Sequence, residues 1–121
     1  MKKVQGLILL PYLLFLLLMT KKHNQVTKSK QVRLTQDIPE GITFYDNVIC
    51  IKSGTELAIY SSRCTHLGCR INKSTQDTLI CPCHGSAFGI DGKVLKGPAI
   101  ENLRVLEYES DPEKNEIIIS L

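Results

Sequence analysis

The chain has 121 residues and a formal net charge of +3, which allows one domain and a short additional segment. Its basic excess lies in residues 1–22, which carry four lysines and no acid, whereas the other 99 residues carry 11 basic and 12 acidic side chains. This balance excludes a basic nucleic-acid-binding surface, so we expect no nucleic acid among the partners.

Residues 1–22 are predicted to form a membrane anchor. Residues 4–20 contain no charge, and 17 helical residues extend about 26 Å, the short end of a membrane span. Pro11 is tolerated in a membrane helix. The alternatives are a cleaved signal peptide and a buried soluble helix. The signal peptide is disfavoured because Lys21 and Lys22 follow the apolar run without a small-x-small cleavage site.

Residues 23–31 are polar and basic without an apolar period, which predicts a tether between the anchor and a domain. The basic side chains after the anchor outnumber Lys2 and Lys3 before it. By the positive-inside rule this asymmetry favours a domain on the cytoplasmic side.

Residues 32–121 are predicted to be one all-β domain, because short apolar runs alternate with turn sequences. Asp46 and Asn47 separate two such runs and predict a hairpin, and Cys50 in the second run is predicted to be a buried structural thiol. The predicted strands cover residues 32–34, 43–45, 48–51, 57–60, 78–80, 93–95, 103–108 and 116–121.

Two short segments carry chelating side chains, CTHLGC at residues 64–69 and CPCHGS at residues 81–86. Each contains two cysteines and one histidine, and such a cluster predicts a metal site. Cys64 with His66, and Cys81 with His84, would supply two sulfurs and two nitrogens. If the loops face each other, both sulfurs can bind one iron and both nitrogens the other, as in a [2Fe–2S] centre with two histidine ligands.

Three other interpretations of these segments remain open from the residues alone. A structural zinc site uses the same Cys₂His₂ set but leaves one cysteine in each loop unexplained. A four-cysteine ferredoxin could begin at Cys64-x₄-Cys69, although Asn72 stands where a further cysteine is needed. A small secreted domain with two disulfides gives the histidines no role.

The two segments together resemble the double motif of Rieske iron–sulfur proteins. The resemblance extends to Gly97-Pro98-Ala99, which is similar to the family's proline loop, and to the turn at Asp91-Gly92. It covers roughly residues 32–121. It is strongest for the disulfide-containing branch, found in cytochrome bc-type quinol oxidoreductases and in the small subunit of arsenite oxidase. Rieske ferredoxins and ring-hydroxylating dioxygenases are less similar, because they usually lack both spare cysteines.

The resemblance implies a Rieske fold, in which an antiparallel β-sandwich carries a small cluster-binding subdomain. It implies one [2Fe–2S] cluster and a disulfide between Cys69 and Cys83. It also implies that Leu67 shields the cluster beside the histidines, and that the Ser86 hydroxyl donates a hydrogen bond to a bridging sulfide. The cluster ligands that it implies are Cys64, His66, Cys81 and His84.

One position departs from the high-potential members of the family. They carry tyrosine two residues after the serine, where this chain has Phe88, which has no hydrogen-bond donor. Hydrogen bonds to cluster sulfurs raise the reduction potential. We therefore predict a potential below the top of the Rieske range, about −150 to +300 mV, and the retained Ser86 argues against the bottom of it.

The resemblance implies a membrane-anchored electron carrier that accepts electrons from quinol and passes them to a cytochrome or other redox partner. We expect no catalytic residue in the chain itself, which would act as a subunit of an oxidoreductase complex. The alternatives are an electron-transfer subunit of an arsenite-oxidase-like enzyme and a ferredoxin that donates to an oxygenase. The implied disulfide places the domain outside the cytoplasm, against the positive-inside rule and without a twin-arginine signal.

Overall fold

The computed structural model describes residues 11–18 and 30–121. The chain divides into two units, Met1–Lys30 and Gln31–Leu121. Residues 11–18 are helical with exposed side chains. Within the described ranges, no helix is both long and apolar enough to cross a membrane. Most of the predicted anchor (1–22) and tether (23–31) lies outside the described residues, so both stay predictions.

The second unit is built from ten short strands in three antiparallel sheets. The base sheet has the order β1-β10-β9, the middle sheet β2-β3-β4, and the loop-bearing sheet β5-β6-β7-β8. The strands are β1 (Gln31–Thr35), β2 (Gly41–Phe44), β3 (Val48–Ser53), β4 (Glu56–Ser61), β5 (Lys73–Thr75), β6 (Thr78–Ile80), β7 (Ala87–Gly89), β8 (Val94–Lys96), β9 (Tyr108–Asp111) and β10 (Glu116–Ser120).

Most predicted strands are present within one or two residues of their expected positions. The hairpin around Asp46 and Asn47 is confirmed, since β2 pairs with β3 and Phe44 lies opposite Ile49. The predicted strand at 103–108 is wrong, because only Tyr108 of that segment belongs to a strand and Val105 makes an isolated bridge to Tyr60. Three strands were not predicted: β5, β7 and all of β9 after Tyr108.

The middle sheet has two buried faces, which explains the continuous apolar run in β3. Ile49 on β3 and Tyr60 on β4 face one hydrophobic cluster, together with residues of the loop-bearing sheet. Val48 and Cys50 on β3 and Ile59 on β4 face the other cluster, together with residues of the base sheet. Because successive side chains of a strand point to opposite faces, a strand buried on both sides has no polar alternation.

Three loops emerge at one end of the loop-bearing sheet. The register places Lys73 opposite Ile80, and Ile80 and Lys96 on either side of Ala87, so the start of β5, the β6–β7 connection and the end of β8 lie together. The loops are residues 62–72 after β4, residues 81–86 between β6 and β7, and residues 97–102 after β8. Both cysteine-histidine segments are therefore at the same end of the molecule.

Candidate metal centre

The first cysteine-histidine loop, residues 64–69, is closed by two backbone hydrogen bonds. The Cys64 N–H donates to the carbonyl of Cys69 at 2.8 Å, and the Gly68 N–H donates to the carbonyl of Cys64 at 2.8 Å. Gly68 has a φ of 77°, a left-handed conformation that glycine adopts without steric cost. The chain thus makes a tight turn between Cys64 and Cys69.

The second loop, residues 81–86, repeats this backbone frame. The Cys81 N–H donates to the carbonyl of Ser86 at 2.9 Å, and the Gly85 N–H donates to the carbonyl of Cys81 at 3.1 Å. Gly85 has a φ of 74°. The frames match at the leading cysteine and the glycine four residues later, but the histidine comes two residues after Cys64 in one and three after Cys81 in the other. The shared Cys-x₃-Gly spacing is a sequence signal that our motif reading did not use.

Two thiols lie buried at the bottom of the loops. Cys64 is 3% exposed, Cys81 is 2% exposed, and neither forms a disulfide. Burial raises the pKa of the Cys64 thiol, and the adjacent Cys81 thiol raises it further, while the His66 N–H and the Ser86 hydroxyl act in the opposite direction. These contacts bring groups from both loops to one point.

The two imidazole rings lie above the thiols, toward solvent. The ring centroids of His66 and His84 are 5.1 Å apart and the ring planes are perpendicular. His84 is exposed and His66 is half-buried. Leu67, beside His66, is 70% exposed. The structure therefore brings the two predicted cysteine ligands to each other and the two predicted histidine ligands to each other, with the thiols buried and the imidazoles nearer solvent.

The other two cysteines of the loops form a disulfide. Cys69 and Cys83 are bonded, with their α-carbons 6.5 Å apart, and the bond joins the two loops. The Cys81 sulfur lies within 4.8 Å of both disulfide sulfurs. This three-sulfur group is no metal site, because a cysteine binds a metal as its thiolate and two of the three sulfurs are bonded to each other. The donors that remain are two thiols and two imidazoles, which fit a centre with two histidine ligands.

The proline loop, residues 97–102, holds both cysteine-histidine loops in place. The Ala99 N–H donates to the buried Ser86 Oγ at 3.0 Å, so the Ser86 proton remains available for another acceptor. The Thr65 Oγ1 donates to the carbonyl of Glu101 at 2.6 Å. Our sequence reasoning missed Thr65, since no local signal links it to a carbonyl 36 residues away. Gly97 and Pro98 are exposed.

Phe88 lies beneath the centre. Its side chain is fully buried and belongs to the same hydrophobic cluster as Cys64 and Cys81. The residue supports the loops by packing and has no group with which to donate a hydrogen bond.

Comparisons with known proteins agree with this geometry. A family model described as the Rieske [2Fe-2S] domain matches residues 22–107. The iron–sulfur subunit of the cytochrome b6-f complex of Chlorobaculum tepidum is 32% identical over 106 residues, covering 83% of this chain and 58% of the relative. The Rieske subunit of the mitochondrial cytochrome b-c1 complex of Saccharomyces cerevisiae is 47% identical over 53 residues, covering 42% of this chain and 25% of the relative. The chain thus spans well under two thirds of the length of these relatives.

Solved structures show the same fold. The plasma-membrane Rieske protein of Synechocystis PCC 6803 superimposes with a TM-score of 0.52 and 34% identity, covering 61% of this chain and 76% of that one. The ferredoxin of carbazole 1,9a-dioxygenase from Nocardioides aromaticivorans superimposes with a TM-score of 0.53 over 76% of this chain and 98% of that one. At 22% identity, the second likeness concerns the fold alone.

Proposed function

Because the chain belongs to the Rieske [2Fe–2S] family and binds one [2Fe–2S] cluster, we propose that it is a membrane-anchored electron carrier that accepts electrons from quinol. The observation that carries this proposal is the pair of imidazole rings at the surface, 5.1 Å apart, above two buried thiols. A quinol can reach the histidines at such a site, while the sulfur side stays closed to water.

We assign the cluster ligands by burial. Cys64 and Cys81 would hold the inner iron, and His66 and His84 would hold the outer iron at the surface. A [2Fe–2S] centre supplies the capacity to take up and release one electron. An imidazole ligand is neutral and keeps a second nitrogen that can hold or release a proton, which a thiolate cannot do.

The histidines therefore provide a proton acceptor at the point where an electron enters. Only a nitrogen without a proton can accept one, so a quinol hydroxyl could hydrogen-bond to His66 or His84 once the second nitrogen of that ring had released its own proton, and the quinol proton could then pass to it. Leu67, exposed beside His66, would exclude water from this contact. The proposal gives the chain no catalytic nucleophile; its residues orient the quinol and accept its proton.

Other residues of the site fix its shape and tune its potential. We propose that the Ser86 hydroxyl, which accepts from the Ala99 N–H at 3.0 Å, directs its own proton to a cluster sulfur. Phe88 donates nothing at its position, which favours a potential below the top of the Rieske range. Gly97 and Pro98 lead the chain into the Ala99 contact, and the Cys69–Cys83 disulfide keeps the two loops closed.

The membrane anchor and the partners are part of the proposal. Residues 4–20 carry no charge, and two relatives reported above are subunits of cytochrome b6-f and b-c1 complexes. We propose a single-pass chain with its Rieske domain on the extracytoplasmic side, where the disulfide is stable. Its redox partner in such a complex would be a cytochrome.

Electron paramagnetic resonance of the dithionite-reduced full chain tests the ligand assignment. We expect a rhombic signal whose average g value is well below that of all-cysteine clusters. A colourless sample with stoichiometric zinc would contradict the proposal. A midpoint potential that falls as pH rises, because electron uptake is then coupled to proton uptake, would support the proton role. Co-purification with a di-haem cytochrome b would support the quinol pathway, whereas a molybdenum-containing partner would contradict it.

A further inference from the structure

The charges of the β domain are unevenly distributed along its length. Residues 62–104, which include all three loops of the metal centre, carry six basic and three acidic side chains. Residues 31–61 and 105–121, which form the base and middle sheets, together carry three basic and nine acidic side chains. The segment that carries the loops thus has a net charge of +3 and the rest of the domain −6, and this uneven distribution gives the domain an electrostatic dipole.

Two arginines stand at the stem of the first loop. Arg63 and Arg70 face each other in an isolated antiparallel bridge, and both are exposed. The Arg63 Nη1 donates to the carbonyl of Gly68 at 3.1 Å, which holds its guanidinium against the loop. Arg63 also lines a surface cavity of about 180 Å³ together with Arg104 and the C-terminal residue Leu121. The Ser61 N–H donates to the carbonyl of Arg104 at 2.9 Å, so the three arginines all lie near the stem of the first loop.

Two lysines lie on the edge strands of the loop-bearing sheet, Lys73 on β5 and Lys96 on β8, on either side of the second loop. Lys73 lies opposite Ile80, the residue before Cys81. Lys96 lies opposite Ala87, the residue after Ser86. Both lysines are exposed, and neither makes an ion pair with another described residue. We call the five side chains the basic rim: Arg63, Arg70, Lys73, Lys96 and Arg104.

The acids near the basic rim do not cancel it. Asp46 pairs with Arg70 at 2.8 Å, and Glu101 is exposed in the proline loop. Asp91 lies in the β7–β8 turn, at the opposite end of that hairpin, and is paired with Lys93 at 2.8 Å. Asp77 lies in the β5–β6 turn, also away from the loops. Five positive side chains thus lie at or near the loops, against two negative side chains and the carboxylate of Leu121.

Two exposed apolar side chains lie within the basic rim. Leu67 is 70% exposed and Ile100 is 91% exposed, and they belong to the two loops that Thr65 and Glu101 join. An apolar centre inside a charged margin is the usual composition of a protein–protein interface. A membrane surface would need the positive charges but would not need exposed redox ligands at their centre.

We propose that the basic rim docks an acidic surface of the protein that receives the electron from this chain. This inference rests on the proposed function and identifies the chemistry of the acceptor. The dipole turns the domain so that the metal centre approaches a negative partner first, and the apolar side chains make the close contact. Such steering raises association rates by about 10- to 1,000-fold at low salt.

The test uses two forms of horse heart cytochrome c, the native basic protein and its succinylated acidic derivative, which share a fold and a haem. Calorimetric titration of the oxidised, cluster-loaded full chain at low ionic strength measures both affinities. We expect the succinylated form to bind at least about tenfold more tightly, with an affinity that falls as salt rises. Carbodiimide cross-linking followed by mass spectrometry should join Lys73 and Lys96 to the acidic cytochrome.

A double variant, Lys73→Glu with Lys96→Glu, should lose this binding by at least about tenfold. The matched control is Arg33→Glu with Lys114→Glu, which makes the same change of net charge in the base sheet and should bind within about twofold of the wild type. Equal affinity for both cytochromes, or equal losses in the two double variants, would overturn the proposal.

Two further measurements distinguish docking of an acidic protein from lipid binding and from failure of the proposed function. Tighter binding to phosphatidylglycerol than to phosphatidylcholine vesicles, abolished by the rim variant and accompanied by no preference between cytochromes, would assign the rim to lipid and overturn the docking proposal. The electron paramagnetic resonance signal of the reduced chain reports separately on the cluster. A normal signal without charge-dependent binding would reject the docking surface alone, whereas an absent cluster would reject the proposed function.

Discussion

The two hydrophobic clusters on either side of the middle sheet differ in what they support. The buried residues of the base-side cluster are aliphatic apart from one thiol, Cys50, and most lie on strands that are joined in regular antiparallel ladders. The site-side cluster includes Cys64 and Cys81 and takes Ala99 and Leu103 from loop segments. Strands β3 and β4 contribute to both clusters. One face of the middle sheet therefore packs on the base sheet, and the other face packs beneath the metal centre.

We call the base sheet with its cluster the base half, and the loop-bearing sheet with its three loops and its cluster the site half. The two halves are stabilised by different interactions. Side chains and sheet hydrogen bonds stabilise the base half. The loops of the site half are joined by the Cys69–Cys83 disulfide, by the Ala99 and Thr65 hydrogen bonds, and by the cluster itself. We therefore expect the site half to depend on the metal and the base half to be insensitive to it.

The largest effect should follow removal of a proposed inner ligand. Cys64→Ser replaces a buried thiolate donor, so we expect iron content and visible absorbance to fall almost to zero. Cys50→Ala, which removes the buried thiol on the other face of the sheet, should keep a full complement of iron. Full iron content in Cys64→Ser would show that the assignment of this ligand is wrong.

A matched pair of core truncations should separate the two halves. Leu79→Ala in the site-side cluster and Ile119→Ala in the base-side cluster each remove a fully buried side chain. Each should lower the free energy of unfolding by about 2–5 kcal/mol, measured in denaturant. Only Leu79→Ala should also speed the loss of iron on mild heating, and similar iron-loss rates in the two variants would show that the halves are not independent.

Removal of the disulfide should affect the site half alone. Cys69→Ser with Cys83→Ser opens a link between residues 14 positions apart, and the chain-entropy estimate for such a loop is about 3 kcal/mol. Hydrogen exchange should lose protection in residues 64–69 and 81–86 and keep it in β1 and β10. The wild type with a reductant should behave in the same way; loss of protection throughout the domain would contradict the comparison.

Hydrogen bonding at the centre should change the potential without unfolding either half. Ser86→Ala removes a donor and should lower the midpoint by about 60–130 mV, the equivalent of one charge-assisted hydrogen bond. Phe88→Tyr adds a donor and should raise the midpoint. Ser62→Ala is the control, because Ser62 is equally buried but donates to the carbonyl of Asp46, and it should leave the potential unchanged.

The smallest effect concerns Cys50 and alkaline pH. Burial raises the pKa of the Cys50 thiol to about 11, above its ordinary value of 9.0. As pH rises, the unfolded chain therefore loses this proton before the folded chain does. The contribution of Cys50 to the free energy of unfolding is fully present below about pH 9 and is lost as pH rises to about 11. Urea unfolding of the wild type and of Cys50→Ala across this interval should show the extra loss only in the wild type, and parallel curves would contradict it.

Much of the site was predictable because each pair of proposed ligands lies within four consecutive residues. Cys64 with His66, and Cys81 with His84, need only a tight turn to act together, and Gly68 and Gly85 provide those turns. Strands with an apolar run and a turn on each side, such as β3 and β4, were equally visible. The placement of the four ligand residues was thus set by local spacing.

The segment at 103–108 and the strands β5 and β7 were set by tertiary structure. Leu103 is buried in the site-side cluster and Leu106 in the base-side cluster. The apolar residues there belong to a segment that passes from one hydrophobic cluster to the other, and this segment does not pair as a strand. Strand β5 is exposed along its length and carries no alternation of apolar and polar residues. It is a strand because its neighbour β6 provides hydrogen-bond partners.

The sequence by itself determined the family, the cluster and the two loops, because these depend on residues close together in the chain. Only the tertiary structure decided the contact of Ala99 with Ser86, the contact of Thr65 with Glu101, and the grouping of basic side chains around the loops. These features join residues from separate strands and loops. Their partners are chosen by sheet register and by packing on the middle sheet, which no local pattern encodes.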